Sequence, residues 1–307
     1  MIDYKATYKS GLGLYQSPYD ARNWKFSEAL PLESFEIPEE YETPDAPFTY
    51  DQGTSSMCVA AAYCYIRYLQ ESDHKQSGLT ERFAPLFNYA NRCPGEDFEG
   101  MFLSSCMKKG RDGSVLWSEL PYFCSYSDAL ALFQKRKKEL MKKASAFAIS
   151  SYYICHSRHE IQTAIMTTKA VLTGIPVYDC FYTPAADGTI TYEKCNTKKA
   201  DGGHAIAIRG WKKINGKFYW IIKNSWGKDW GNLGNGCAYL PEEYPWFDSA
   251  YVAVDSVDKV KFQDYARKYY IAHPSGTSLK PKKETLFTRI SQMIHNIIHK
   301  LFHHDNC

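Results

Sequence analysis

Apolar and polar positions along the chain fall into three textures. Residues 1–45 carry little periodicity, and Pro31, Pro38, Pro44 and Pro47 break any long helix there. This zone reads either as an extended arm lying across a domain or as a pro-segment. From about 46 to 270 the pattern alternates. Residues 58–70 are compact, Ala-rich and apolar, which predicts a buried helix. Residues 127–143 are charged on one side, with Leu130, Leu132, Phe133 and Leu140 on the other, which predicts a surface helix. A further short helix is expected over 160–168. After Ala170 the texture changes: 171–178, 204–211, 218–224 and 236–240 read as strands separated by Gly and Asn turns. Helices come first and strands later, an order that fits an α+β fold of two lobes better than a βαβ repeat.

The last zone, 276–307, opens as a linker by composition and continues with Leu286, Phe287, Ile290, Met293, Ile294, Ile297, Ile298, Leu301 and Phe302 at three- and four-residue steps. Lys282, Lys283, Arg289 and Lys300 make this predicted amphipathic helix basic. Such a stripe can pack on its own domain, pair with a second copy, or dock on a membrane surface or a partner. His295, His299 and His303 share one face, so metal binding or pH sensing is a further option.

Composition narrows the class. A chain of 307 residues with 44% hydrophobic and 23% charged positions has the balance of a soluble globular protein, with a core large enough for one large domain or two small ones. A net charge of +3 does not point to a nucleic-acid partner. The longest apolar run, residues 57–66, is about half of what a bilayer core requires. The opening MIDYKATYKS lacks the apolar core of a signal peptide. A cytoplasmic or virion-associated location, in a bacterial or viral host, is therefore expected. Under that expectation the ten cysteines are reduced thiols. No CxxC pair is present, which argues against a zinc ribbon or a thioredoxin-type site.

Three local patterns could carry chemistry. In the first, the polar turn Asp51-Gln52-Gly53-Thr54-Ser55-Ser56 runs into an apolar helix with Cys58 at the junction. A helix N-terminus favours the thiolate, the nucleophilic form of a thiol. A small buried core residue is the plainer account of Cys58. In the second, Gly202 and Gly203 precede His204 at the start of an apolar strand. His204 is a surface hydrogen-bonding residue or the base that a thiol needs. In the third, Asn224 ends an apolar run and opens Asn-Ser-Trp-Gly, with Trp226 and Trp230 two turns of the same motif. An Asn oxygen can hold one ring nitrogen of a histidine and leave the other facing a thiol; a turn with two packing tryptophans is the alternative.

Taken together, in the order Gln52, Cys58, His204, Asn224, these patterns resemble the papain-like cysteine peptidases, over roughly residues 48–245. GGHAIAIRGW and YWIIKNSWGKDWGNLGNG are similar to the cathepsin B branch. The resemblance implies a helical lobe bearing Cys58, a β-barrel-like lobe bearing His204 and Asn224, and a peptide or protein substrate in the cleft between them. It implies Cys58 as nucleophile, His204 as its ion-pair partner and acid, Asn224 as the group orienting His204, and Gln52 as an oxyanion donor. Trp226 would cover the His–Asn bond, and Gly100 and Gly203 would line the substrate groove. No metal or organic cofactor is implied. Ser55 stands where the family often has a cysteine, so the disulfide that braces this loop elsewhere cannot form. Cathepsin B trims dipeptides through a loop bearing two histidines. Between Cys93 and Tyr126 this chain has none, which favours endopeptidase action. The run Ser17-Pro18-Tyr19-Asp20-Ala21-Arg22-Asn23 resembles one found ahead of the catalytic domain in microbial members, and residues 1–45 then read as an inhibitory arm. The expected units are 1–45, a catalytic domain over 46–275, and 276–307. The same triad could instead serve an acyl transferase or peptide ligase, and the fold could serve a non-catalytic binding protein.

Overall fold

The protein is described by a computed structural model over residues 2–20, 23–74, 78–195 and 198–272. The predicted helix within 276–307, with His295, His299 and His303, lies outside the described residues. In chain order the elements are α1 (Tyr4–Tyr8), β1 (Leu14–Tyr15), β2 (Tyr41–Glu42), α2 (Cys58–Asp73), α3 (Pro85–Ala90), β3 (Met101–Phe102) and α4 (Leu103–Lys109). There follow α5 (Tyr126–Ala144), β4 (Ser151–Cys155), α6 (Arg158–Thr168), β5 (Val171–Val177), α7 (Asp179–Tyr182), β6 (Gly202–Ile214), β7 (Lys217–Lys223), β8 (Cys237–Pro241), β9 (Asp248–Val254) and α8 (Ser256–Ala272).

The sheet is curled around β6. On one side of β6 lie β5, β9 and β4; on the other lie β7 and β8, all antiparallel to their neighbours. β5 and β6 are covered on both faces. Ile206 and Ile208 face a barrel core with Val171, Ile175, Trp211 and Trp220. Ala205 and Ala207, one residue out of phase, face the helical core of α2, α3 and α5. That two-sided burial is why 204–211 reads as an unbroken apolar run. A register shift between Ile208 and Gly210 bends the strand. Gly210 permits the close approach of β2: a Cβ there would lie 2.4 Å from the Tyr41 carbonyl.

α2 is buried at every position from Cys58 to Leu69 except Tyr68, so it is apolar on all sides as its sequence predicts. Its one fully buried charge, Arg67, bonds Gln70 at 2.6 Å and pairs with Glu71 and with Asp255 at the β9–α8 junction. α5 buries Ala129, Phe133, Leu140 and Ala144 and turns its charges to solvent. Ser157 and Glu160 form a reciprocal capping box at the start of α6. Residues 2–20 and 23–45 run over both lobes: α1 packs on α7, β1 lies between β3 and β6, Phe26 and Leu30 enter the barrel core, and β2 adds to β6.

One expectation is corrected. Cys180 and Cys195 form a disulfide, with Cα atoms 6.1 Å apart, where reduced thiols were expected throughout. The backbone from α7 to the turn before β6 folds back on itself and brings these cysteines together, a long-range return that composition alone does not reveal. Among the described residues no helix is long and apolar enough to cross a membrane.

Candidate active site

Cys58 is the first residue of α2, fully buried. Backbone N–H groups of Ala205 and Gly13 face its sulfur, as does its own helix terminus. Ala205 follows His204, so the strand start and the helix start meet at the thiol. Burial pushes the Cys58 pKa up, and these N–H groups only partly oppose it.

The turn before α2 is held from across the cleft. Gln52 N–H donates to the Ser225 carbonyl at 2.9 Å, and Gln52 Oε1 accepts from Ser225 Oγ at 2.6 Å. Gln52 Nε2 donates to the carbonyls of Ser55 at 2.7 Å and Gly11 at 2.9 Å. The amide predicted to serve an oxyanion is therefore engaged, in this closed state, by a carbonyl of the N-terminal arm.

His204 is fully buried on β6, with Nε2 2.7 Å from Asn224 Oδ1. Asn224 Oδ1 also accepts from Ser225 N–H at 2.7 Å. That second donor identifies the atom as the amide oxygen, so Nε2 carries the hydrogen and Nδ1 is left with a lone pair. Nδ1 is buried and has no hydrogen-bond partner. Burial lowers the His204 pKa to about 4, against the raising effect of the Asn224 bond. Trp226 lies with its ring centroid 4.8 Å from that of His204, and Phe181 edges against both. Their packing keeps water from the His–Asn bond.

Gln52, Cys58, His204, Asn224 and Trp226 are thus brought into one site. Gly100 and Gly203 both lie against residues 13–15 of the N-terminal arm. A Cβ on Gly100 would lie 2.5 Å from the Gly13 carbonyl, and one on Gly203 would lie 2.5 Å from the Leu14 carbonyl. Met101 N–H donates to Gly13 O at 2.7 Å, and Leu14 pairs with both Met101 and Gly203. The groove is filled by the chain's own residues 11–15.

Sequence reasoning missed Ser225, which aligns both Gln52 and Asn224, and the pair Gly11 and Gly13. The alternation Gly11-Leu12-Gly13-Leu14 was a signal. A Cβ at Gly13 would lie 2.2 Å from the Ser56 carbonyl, and one at Gly11 2.8 Å from the Ser55 carbonyl, so only glycine passes this close to the thiol. It also missed Tyr8, which stacks on Trp226 at 5.1 Å and donates to Asp51 at 2.8 Å.

A thiol at a helix start, set against the strand that carries a hydrogen-bonded histidine, between a helical lobe and a curled sheet, is the papain-like arrangement. The model of the papain family cysteine protease matches residues 99–240, a span that holds His204 and Asn224 and begins after Cys58. A gut-specific cysteine proteinase of Caenorhabditis elegans is 33% identical over 111 residues, 36% of this chain and 32% of the relative. A cathepsin B-like cysteine proteinase of Ostertagia ostertagi is 37% identical over 93 residues, 30% of this chain and 51% of the relative. The chain thus spans at most about half the length of these relatives. Among solved structures, xylellain, a cysteine protease from Xylella fastidiosa, superposes with a TM-score of 0.68 at 20% identity, covering 81% of this chain and 97% of that one. Procathepsin B S9 of Trypanosoma congolense superposes with a TM-score of 0.56 at 17% identity, over 80% and 86% of the two chains. At these identities the likeness is one of fold.

Proposed function

We propose that this protein is a thiol endopeptidase acting through Cys58, His204 and Asn224, and that residues 1–45 hold it closed. The observation that carries this reading is the His204–Asn224 bond. It fixes the proton on Nε2 and leaves Nδ1 as a base for Cys58, whose sulfur faces the N–H of the next residue, Ala205. In the open enzyme His204 Nδ1 takes the thiol proton, and the sulfur attacks the scissile carbonyl carbon. Gln52 Nε2 and the Cys58 N–H hold the developing oxyanion. His204 then returns its proton to the leaving amine, and water, deprotonated by the same nitrogen, hydrolyses the thioester.

The arm is not presented for cleavage. Its Gly13 N–H, not a carbonyl carbon, faces the sulfur, and its Gly11 carbonyl occupies the Gln52 amide. The test is incubation with a peptide library and mass analysis of the products. Products that gain one water, absent with Cys58→Ala, support hydrolysis. Joined peptides without added water would assign the acyl-enzyme to transfer instead. Intact peptides, from a chain whose arm has been displaced, would contradict both.

A further inference from the structure

The arm rests on an acidic surface that catalysis does not use. Lys5 Nζ lies 2.5 Å from Asp179 and 3.1 Å from Asp201, and Lys9 Nζ lies 2.7 Å from Asp201. Lys5 Nζ also sits 5.7 Å from the centre of the Tyr182 ring. Tyr182 in turn stacks on Trp226 at 5.3 Å, as Tyr8 does at 5.1 Å. Asp51, which accepts from Tyr8, completes the rim. Asp179 keeps a second partner, Lys198 at 2.5 Å on its other oxygen. Asp201, only 16% exposed at its side chain, has just the two arm lysines as cations within reach among the described residues. Withdrawal of the arm therefore uncovers an aromatic floor edged by carboxylates, of which Asp201 is left without a cation among the described residues.

We infer that this surface is a substrate subsite selecting lysine or arginine, with Asp201 its principal specificity residue and Asp179 its second. The inference rests on the proposed peptidase reading, since it treats the arm's seat as the place a substrate takes. Trp226 packs on the ring that protonates the leaving amine, so the subsite receives residues on the C-terminal side of the scissile bond. The seated arm shows the side-chain chemistry that fits: a cation over Tyr182, a cation on Asp201 and a tyrosine ring on Trp226. Three partly exposed ion pairs, made by two lysines, contribute on the order of 1 kcal/mol together. Aromatic stacking supplies affinity that is indifferent to charge. The predicted discrimination between a basic and a neutral segment is therefore about fivefold, and it shrinks as salt rises.

The test is binding in a chain that cannot cleave. The full chain carries Cys58→Ala for this, with Gly13→Leu to unseat the arm, because a side chain there meets the Ser56 carbonyl. A second full chain, with Cys58→Ala, Lys5→Gln and Lys9→Gln and its glycines intact, serves where the first does not fold. The probes are a labelled Asp-Tyr-Lys-Ala-Thr-Tyr-Lys peptide and the same peptide with both lysines replaced by glutamine. The expected result is about fivefold tighter binding of the lysine peptide in low salt, a difference abolished by Asp201→Asn and reduced by Asp179→Asn. Equal affinities, or no binding of either peptide, would overturn the subsite. Neither outcome touches the peptidase reading, which is judged separately by the Cys58-dependent products described above.

Discussion

At the scale of single residues, the electrostatics of the closed site are set by burial. A thiol pushed up and an imidazole pushed down to about 4 make a neutral pair at pH 7. The helix terminus at Cys58 favours the thiolate, yet with the arm seated the desolvation cost is larger. The pH consequence has a definite sign. His204 binds a proton less readily in the closed form than a solvated imidazole of ordinary pKa 6.5. Stability of the closed form is thus intact above pH 6.5 and falls as pH drops from there to about 4, by up to about 3 kcal/mol. Cleavage of the arm by an added protease should accelerate over that window, and His204→Gln should flatten the profile. Ser225 carries a second prediction. Ser225→Ala leaves Gln52 Oε1 without its donor, so kcat should fall about tenfold with KM little changed, as expected of a group that aligns an oxyanion donor.

At the scale of elements, α2 is braced at both ends. Its start is held by Gln52 and Ser225; its end is tied to α8 by a buried cluster. His74 Nδ1 lies 3.4 Å from Asp255 and 3.9 Å from Glu71, and its Nε2 lies 3.5 Å from Asp258. The Asp258 hydrogen bond raises the His74 pKa above 6.5, with Asp255 adding to it, against burial. Because the folded pKa is raised, this contribution is complete below pH 6.5 and is lost as pH climbs through the folded value. The melting temperature of the native chain should therefore drop relative to His74→Gln as pH rises from 6 to 8. On α6, Ser157→Ala removes one half of the capping box and should cost about 1 kcal/mol in denaturant unfolding. Much of this level was legible in sequence. The helices expected at 58–70, 127–143 and 160–168 lie within α2, α5 and α6, and the four expected strands correspond to β5–β8. The short α3 and α4, the strands β4 and β9, and α8 were not anticipated. β9 carries Asp248 and Ser249 at its start and gains its place by pairing with β4 and β5, a non-local constraint.

At the scale of the whole molecule, two lobes meet along β6 and the arm closes the groove between them. The residues proposed for the site, Gln52, Cys58, His204 and Asn224, could be picked out in sequence because a turn-helix junction, a Gly-Gly-His strand start and an Asn-Ser-Trp-Gly turn each have a local signature. The arm's seating could not. It depends on residues 8, 11, 13 and 14 meeting partners 41 to 218 positions away, such as Gln52 for Gly11 and the Trp226 carbonyl for Tyr8. The central claim is that Cys58 is an activated nucleophile held closed by its own arm. The most direct test is labelling with an epoxysuccinyl thiol trap, located by mass spectrometry, in the native chain and in Gly13→Leu. The account predicts slow labelling of the native chain and fast labelling of Gly13→Leu. The adduct should sit on Cys58 alone and be lost with His204→Ala. A folded Gly13→Leu chain whose Cys58 stays unlabelled, or labels no faster than its other thiols, would contradict it.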